Sequence, residues 1–195
     1  MRAWQVNGQG EPSEVMREVQ IDLAAAGPGE LIIKVAASAL ALPDVLLCRG
    51  VYPLTPPLPF TPGLEFVGTL TQAGPGVSTP IGTRLMGVAA FTMGTGAFAD
   101  QCKTYEPMVY PVARGMDDAD AAGFTIAYHT AYVGLVRRAK LQAGETVLVH
   151  GGAGGTGFAA IQLAKALGAR VIATAGGPPK SRFMPGIGCG SRHRP

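Results

Sequence analysis

Residues 146–174 read TVLVHGGAGGTGFAAIQLAKALGARVIAT, and this stretch decides the fold. The β-branched run at 146–150 predicts a buried parallel strand, and 170–174 predicts a second one. Between them, the apolar and alanine-rich segment 158–167 predicts a helix that ends at Gly168. A strand, a helix and a second strand within about 30 residues form one βαβ unit of a parallel sheet.

A glycine-rich segment joins the first strand to the helix and carries the G-x-G-x-x-G spacing. Gly152 permits a tight turn, Gly154 lets the backbone approach a diphosphate, and Gly157 allows the helix to pack closely. Free amides at the positive end of a helix bind phosphates. We therefore predict a dinucleotide site, with a ligand-free glycine turn as the alternative. The candidate cofactor-binding residues are Gly152, Ala153, Gly154, Gly155, Thr156 and Gly157.

The residues after the second strand indicate which dinucleotide binds. Enzymes that use NAD usually place Asp or Glu about 20 residues after the loop, where the acid contacts the ribose hydroxyls. The segment 174–177 contains no acid, whereas Lys180 and Arg182 follow it. A basic side chain can pair with a 2′-phosphate. We therefore predict NADPH, with Lys180 as a phosphate ligand; the alternative is that Lys180 is a solvated surface charge.

Composition and charge narrow the class of protein. The 195 residues are 47% hydrophobic and 15% charged, which suits a globular chain. The net charge is +3, but four basic residues lie within 180–194 and no basic cluster precedes them, so we expect no nucleic-acid partner. No signal peptide and no apolar run of about 18 residues is present, so we expect no membrane association. Three widely spaced cysteines fit the reducing cytoplasm.

The first part of the chain has the pattern of a β-rich domain. The segments 31–35 and 64–70 are apolar or alternating runs bounded by Gly and Pro, and both predict strands. Five prolines within 53–62 predict a loop. After Met116 the pattern changes to one helix or two short ones, capped by Asp117.

Three segments, 43–53, 62–68 and 151–157, resemble the medium-chain dehydrogenase/reductase superfamily, and the most similar branch is the quinone oxidoreductases. The resemblance extends over about residues 1–180. It implies a GroES-like β-barrel catalytic domain at 1–125, followed at 126–175 by the start of a Rossmann NADP-binding domain. The fold class is therefore α/β plus β, and the resemblance implies a substrate bound between the two domains.

Zinc alcohol dehydrogenases of this superfamily bind their catalytic metal through a Cys and a His. The matching positions in this chain are Ala41 and Leu64, neither of which can ligate a metal. The four-cysteine lobe of those relatives is matched by Cys102 alone. We therefore expect no metal site. Hydride transfer without zinc requires an acceptor that is already electrophilic, such as a quinone or an activated enone.

The resemblance also implies roles for individual side chains. The family residues that match Tyr52 and Thr130 contact the nicotinamide side of the site. We take Tyr52 as the catalytic candidate, a hydrogen-bond donor near the acceptor; the alternative is an exposed loop tyrosine. Ala41 stands where the family often has Asn, so substrate preference does not transfer. Glu65 and His150 are expected to have structural roles.

The segment 176–195 contains five Gly and four Pro without a regular period, which predicts disorder and resembles an out-of-frame translation. Family members continue through further strands, so we expect an incomplete Rossmann domain that binds NADPH poorly by itself. An enoyl-thioester or enone reductase of the same superfamily is the alternative enzyme, and a non-catalytic truncated product is the alternative from another class. A homodimer is possible for a full-length member.

Overall fold

The computed structural model describes residues 1–177 and 192–193. The chain divides into two compact units, Met1–Thr125 (unit 1) and Ile126–Pro195 (unit 2). Lys180 and most of the segment predicted to be disordered lie outside the described residues.

Unit 1 is built mainly from antiparallel strands. The strands are β1 (Arg2–Val6), β2 (Met16–Gln20), β3 (Glu30–Ala39), β4 (Glu65–Ala73), β5 (Arg84–Val88), β6 (Gln101–Tyr105) and β7 (Val109–Pro111). The two strands predicted from sequence are confirmed as β3 and β4, and β3 continues four residues beyond its predicted end. β1 and β2 form a separate antiparallel pair.

The larger sheet has the strand order β6-β3-β4-β5-β7. The expected barrel is not closed among the described residues, because β6 and β7 are the two edges and do not pair with each other. β7 is three residues long and ends at Pro111, which has no amide hydrogen to extend a ladder. The larger sheet of unit 1 is therefore open among the described residues.

The central strand β4 is buried on both faces. Phe66 and Leu70 lie in one apolar cluster with Leu85, while Val67, one position along, lies in another with Ala121. Side chains alternate between the two faces of a strand, so each face of β4 has its own core.

Short helices complete unit 1: α1 (Pro12–Val15), α2 (Leu42–Cys48) and α3 (Asp118–Ala122), with 3₁₀ turns at Phe91–Met93 and Glu106–Met108. The Asp117 side chain accepts a hydrogen bond from the amide of Asp120 at 2.8 Å, so the predicted cap of α3 is confirmed. The proline-rich segment 53–62 contains no helix and no ladder strand, which confirms the predicted loop.

Glu106 holds the loop between β4 and β5 against the sheet. Its Oε1 accepts hydrogen bonds from the amide and the hydroxyl of both Ser78 and Thr79, at 2.7–2.9 Å. The Thr79 and Ser78 hydroxyls are the main reason that the pKa of Glu106 falls from its ordinary value of 4.5 to about 2.

Replacement of Glu106 by glutamine should remove part of the acid sensitivity of unit 1. A lowered pKa in the folded state means that Glu106 stabilises the fold above pH 4.5 and that this stability is lost as the pH falls towards 2. Trp4 is the single tryptophan and lies in unit 1, so urea unfolding can be followed by its fluorescence. The stability difference between wild type and Glu106→Gln should shrink between pH 6 and pH 2, whereas a constant difference would contradict the assignment.

Unit 2 contains the βαβ unit. Its elements are α4 (Thr125–Tyr132, which starts at the last residue of unit 1), a π-helical segment (Val133–Arg138), β8 (Thr146–Val149), α5 (Gly155–Ala166), β9 (Arg170–Thr174) and β10 (Arg192–His193). β8 and β9 are parallel, with Thr146 opposite Arg170 and Val149 opposite Ala173, as predicted. β10 pairs in parallel with β9, so its two residues differ from the disorder expected for that segment.

Helix α5 packs on the parallel sheet through small and branched side chains. Ile161 and Ala164 of α5 join Val149, Val171 and Ala173 in one buried cluster. The strand order is β10-β9-β8, so β8 lies at the sheet edge among the described residues. In the described part of the chain, no helix has both the length and the hydropathy to cross a bilayer.

Candidate functional site

The glycine segment forms a turn between a parallel strand and a helix. β8 ends at Val149, and Gly151 follows with φ of +63°, a left-handed conformation that glycine adopts without strain. The amide of Gly154 donates to the carbonyl of Gly151 at 2.9 Å, which closes the turn. This is the arrangement that the sequence predicted for the loop.

Helix α5 begins earlier than expected. It starts at Gly155, not at Phe158, so the second half of the glycine motif forms the first helical turn. Gly154 is the N-cap, with extended backbone angles, and its carbonyl accepts from the amide of Phe158 at 2.7 Å. Glycine is a poor helix former, so residues 154–157 do not favour a helix by themselves. The amides of the first helical turn have no acceptor within the helix, so hydrogen bonding does not fix the starting residue either. The packing at this end therefore decides where α5 starts.

Gly157 is where the helix meets the loop. A Cβ atom placed on Gly157 would lie 2.4 Å from the carbonyl oxygen of Gly151 and 2.8 Å from Cα of Gly152. Both neighbours are backbone atoms and cannot rotate away. The close approach predicted for this glycine is therefore present in the structure.

The opposite side of the loop is open. A Cβ on Gly155 would find no atom within 4 Å, and Gly154, Gly155 and Thr156 are exposed. Because the N-cap residue is glycine, it has no side chain with which to accept the first-turn amides. Residues 155–157 thus form the positive end of α5, and its exposed side at Gly155 and Thr156 has room for the diphosphate of a dinucleotide. Ala153 packs against the core of unit 2.

Thr174, the last residue of β9, also contacts the loop. Its carbonyl accepts from the amide of Gly152 at 2.8 Å. Its hydroxyl lies 3.3 Å from the amide nitrogen of Gly151 and 3.3 Å from Nδ1 of His150. The sequence places Thr174 at the end of the second strand, but a threonine at that position does not by itself indicate these contacts.

Tyr52 lies in unit 1, just after α2. It is half-buried, and its ring stands 6.4 Å from that of Phe91 with an interplanar angle of 56°. Its carbonyl accepts from both the amide and the hydroxyl of Thr55, at 3.1 and 2.7 Å. The ring and the backbone of Tyr52 are therefore both held, although its catalytic role stays a prediction.

Thr130 lies on α4 in unit 2. It is exposed, and its hydroxyl donates to the carbonyl of Ile126 one turn earlier, at 2.8 Å. A threonine hydroxyl in a helix commonly makes this bond. The same helix is linked to α5 by a hydrogen bond from the Tyr128 hydroxyl to the Gln162 side chain. The cofactor-binding roles of Thr130 and Lys180 both stay predictions.

Asp44 ties together the segments that contain Ala41 and Leu64. Its carboxylate accepts from the amide of Ala41 at 2.8 Å and from that of Gly63 at 3.0 Å, and the amide of Leu64 also contributes. Asp44 is 3% exposed. Burial raises the pKa of Asp44, and these amides oppose the rise. The carboxylate thus fixes residues 41 and 64 in space.

The positions of Ala41 and Leu64 carry no donor atom in their side chains, and Leu64 is buried. Within 1–177 and 192–193, no group of three or more His, Cys, Asp or Glu side chains could hold a metal ion. The described cysteines, Cys48 and Cys102, are both buried, and burial raises the pKa of both thiols.

Comparison with known proteins identifies the family. The alcohol dehydrogenase GroES-like domain matches residues 27–131. Quinone oxidoreductase-like protein 2 of Mus musculus is 36% identical over 191 residues, which are 93% of this chain and 53% of that protein. The chain spans about half the length of the curated quinone oxidoreductase relatives that it matches.

Solved structures share the fold. The quinone oxidoreductase of Thermus thermophilus, solved with and without NADPH, superimposes with a TM-score of 0.84 at 30% identity, covering 98% of this chain and 59% of that one. The CurK enoyl reductase superimposes with a TM-score of 0.84 at 27% identity, covering 98% of this chain and 58% of that one. The chain therefore belongs to the alcohol dehydrogenase GroES-like family of the medium-chain dehydrogenase/reductase superfamily, in the quinone oxidoreductase branch.

Proposed function

We propose that this chain forms the acceptor-side domain and the diphosphate loop of an NADPH-dependent oxidoreductase that reduces a quinone or a similar activated acceptor without zinc. The observation that carries the proposal is the geometry of residues 151–157. Gly157 packs the helix against the turn, while a Cβ at Gly155 in the first turn of α5 would meet no atom within 4 Å.

In this proposal the amides of residues 155–157 bind the diphosphate, because the amides of a first helical turn have no acceptor within the helix and lie at its positive end. NADPH supplies the hydride when bound. Tyr52 donates a hydrogen bond to the acceptor oxygen, and its contact with Phe91 limits the positions its ring can take. The side chains of Ala41 and Leu64 are hydrocarbon groups, which cannot bind a metal that would polarise the acceptor. The acceptor must therefore be electrophilic without help from a metal.

The preference for NADPH rests on the end of β9. Thr174 is followed by Ala175, Gly176 and Gly177. No Asp or Glu therefore stands where an enzyme that uses NAD usually has the acid that binds the ribose hydroxyls. The two described cysteines are free and buried, which suits the reducing cytoplasm as the location of the enzyme.

The experiment is an amide NMR titration of the 195-residue chain with NADPH and with NADH. We expect the shifts to be concentrated at 154–157, because the amides proposed to bind the diphosphate lie there. Gly176→Asp should weaken NADPH binding about fivefold and NADH binding less, through repulsion of the 2′-phosphate. A Cβ at Gly176 meets no atom within 4 Å, so the substitution fits, and Gly176→Asn is the uncharged control.

Two results would contradict this proposal. If millimolar NADPH shifted only amide signals outside residues 151–157, the proposed diphosphate site would be disproved. If Gly176→Asp and Gly176→Asn weakened NADPH binding equally, the 2′-phosphate would not lie close to residue 176. Micromolar affinity would leave the site in place but disprove the expectation that this chain binds NADPH poorly.

An enoyl-thioester or enone reductase is the second candidate, and the similarity to the CurK enoyl reductase favours it. Both reactions use the same diphosphate loop, so the loop does not separate them. Screening a longer relative against quinones and against enoyl thioesters, with NADPH held constant, would do so. A non-catalytic role for this chain is favoured if neither acceptor class supports turnover.

A further inference from the structure

The end of β9 contacts three consecutive residues at the start of the glycine turn. Thr174 accepts the amide of Gly152 through its carbonyl, and its hydroxyl lies within 3.3 Å of both the Gly151 amide nitrogen and Nδ1 of His150. One residue on the neighbouring strand therefore restrains the whole segment that leads from β8 into the loop.

The chemistry of a hydroxyl fits both of its contacts. The Gly151 amide can only donate, so the Thr174 oxygen accepts there. The hydroxyl proton is then available for Nδ1 of a neutral His150 that carries its own proton on Nε2. In this arrangement the hydroxyl donates one hydrogen bond and accepts another.

The turn needs such a restraint because its sequence provides little. Gly151 has φ of +63°, and a Cβ at this position would meet no atom within 4 Å. Neither side-chain packing nor steric hindrance therefore holds its backbone, and glycine loses more conformational freedom on ordering than any other residue. The carbonyl of Gly151 is held within the turn by the Gly154 amide at 2.9 Å, and its amide is held by the neighbouring strand through the Thr174 hydroxyl.

We propose that Thr174 is a positioning residue for the diphosphate loop: its hydroxyl and its carbonyl hold residues 150–152 against the end of β9, so that the amides of 155–157 are aligned before a ligand arrives. The identity of the ligand rests on the proposed function. The positioning of the loop by Thr174 does not rest on the proposed function, because it depends only on contacts within this chain.

The test compares Thr174→Val, which keeps the shape and removes the hydroxyl, with Thr174→Ser, which keeps the hydroxyl. Amide hydrogen exchange of Gly151 should become roughly three to ten times faster in the valine variant, the change expected for the loss of one hydrogen bond. The Gly152 amide bonds to the Thr174 backbone, so it should change less and serves as the internal reference for intact folding. The serine variant should restore slow exchange at Gly151.

Ligand binding provides the second readout. NADPH-induced shifts at 154–157 should need roughly three to ten times more ligand in Thr174→Val than in wild type or Thr174→Ser. Unchanged Gly151 exchange in the valine variant, or equal acceleration in the serine variant, would overturn the positioning role. A wild-type loop that does not respond to NADPH would count against the proposed function instead, because the exchange measurement contains no ligand.

Discussion

Replacement of Gly157 by alanine should lower the free energy of unfolding of unit 2 by about 2 kcal/mol, the cost of forcing a methyl group into a packed site. The methyl group would lie 2.4 Å from the Gly151 carbonyl oxygen, so the helix and the turn would have to separate. Separation would also displace the amides proposed to hold the diphosphate. NADPH binding should therefore weaken by at least about tenfold.

Gly155 provides a matched control two residues away, in the same helical turn. A Cβ there meets no atom within 4 Å, so Gly155→Ala should stabilise α5 by about 0.5–1 kcal/mol through helix propensity. Unfolding in urea, followed by the amide signals of unit 2, would measure both variants. If the two alanines had the same effect on stability, the close contact at Gly157 would not be what fixes the loop.

Replacement of Asp44 by alanine should destabilise unit 1 by about 3 kcal/mol. The change leaves the amides of Ala41, Gly63 and Leu64 without their acceptor, in a place where the side chain is 3% exposed. Each buried donor left unpaired costs about 1–3 kcal/mol, and partial entry of water offsets part of the sum. Urea unfolding monitored by Trp4 fluorescence reports this unit directly.

Asp118→Ala is the control for removing an acid. Asp118 pairs with Arg84 at 2.5 Å, but the two side chains are 49% and 40% exposed, so the loss should stay below about 1 kcal/mol. A similar loss for both variants would mean that Asp44 acts through its charge alone and does not hold the two segments together. Asp44→Asn should give an intermediate loss, because its amide group can replace only one of the two oxygens.

The βαβ unit could be predicted from sequence because its signals are local. The β-branched runs of β8 and β9, the glycine spacing and the apolar helix lie within one stretch, and each element follows from residues close to it. The helix starts three residues before its predicted position, at Gly155 and not at Phe158, because the start depends on how Gly157 packs against the turn. That packing is a contact in space which periodicity does not record.

Contacts between distant residues were not predictable. Asp44 and Gly63 are 19 positions apart, and no local sequence pattern links a carboxylate to an amide at that distance along the chain. Thr174 and Gly151 are 23 positions apart, and a threonine at a strand end gives no signal of such a contact. The sheet of unit 1 is not closed into a barrel among the described residues, and closure depends on how the edge strands β6 and β7 meet, which local sequence does not record.

The edge of β8 that faces away from β9 is the part of unit 2 where we expect self-association at high protein concentration. Among the described residues this strand has a neighbour on one side only, and Leu148 in its middle is 55% exposed. A free edge next to an apolar side chain acts as a template for extended segments of other molecules. Self-association would therefore begin at β8, and a lysine in place of Leu148 is the change best suited to keep the chain dispersed.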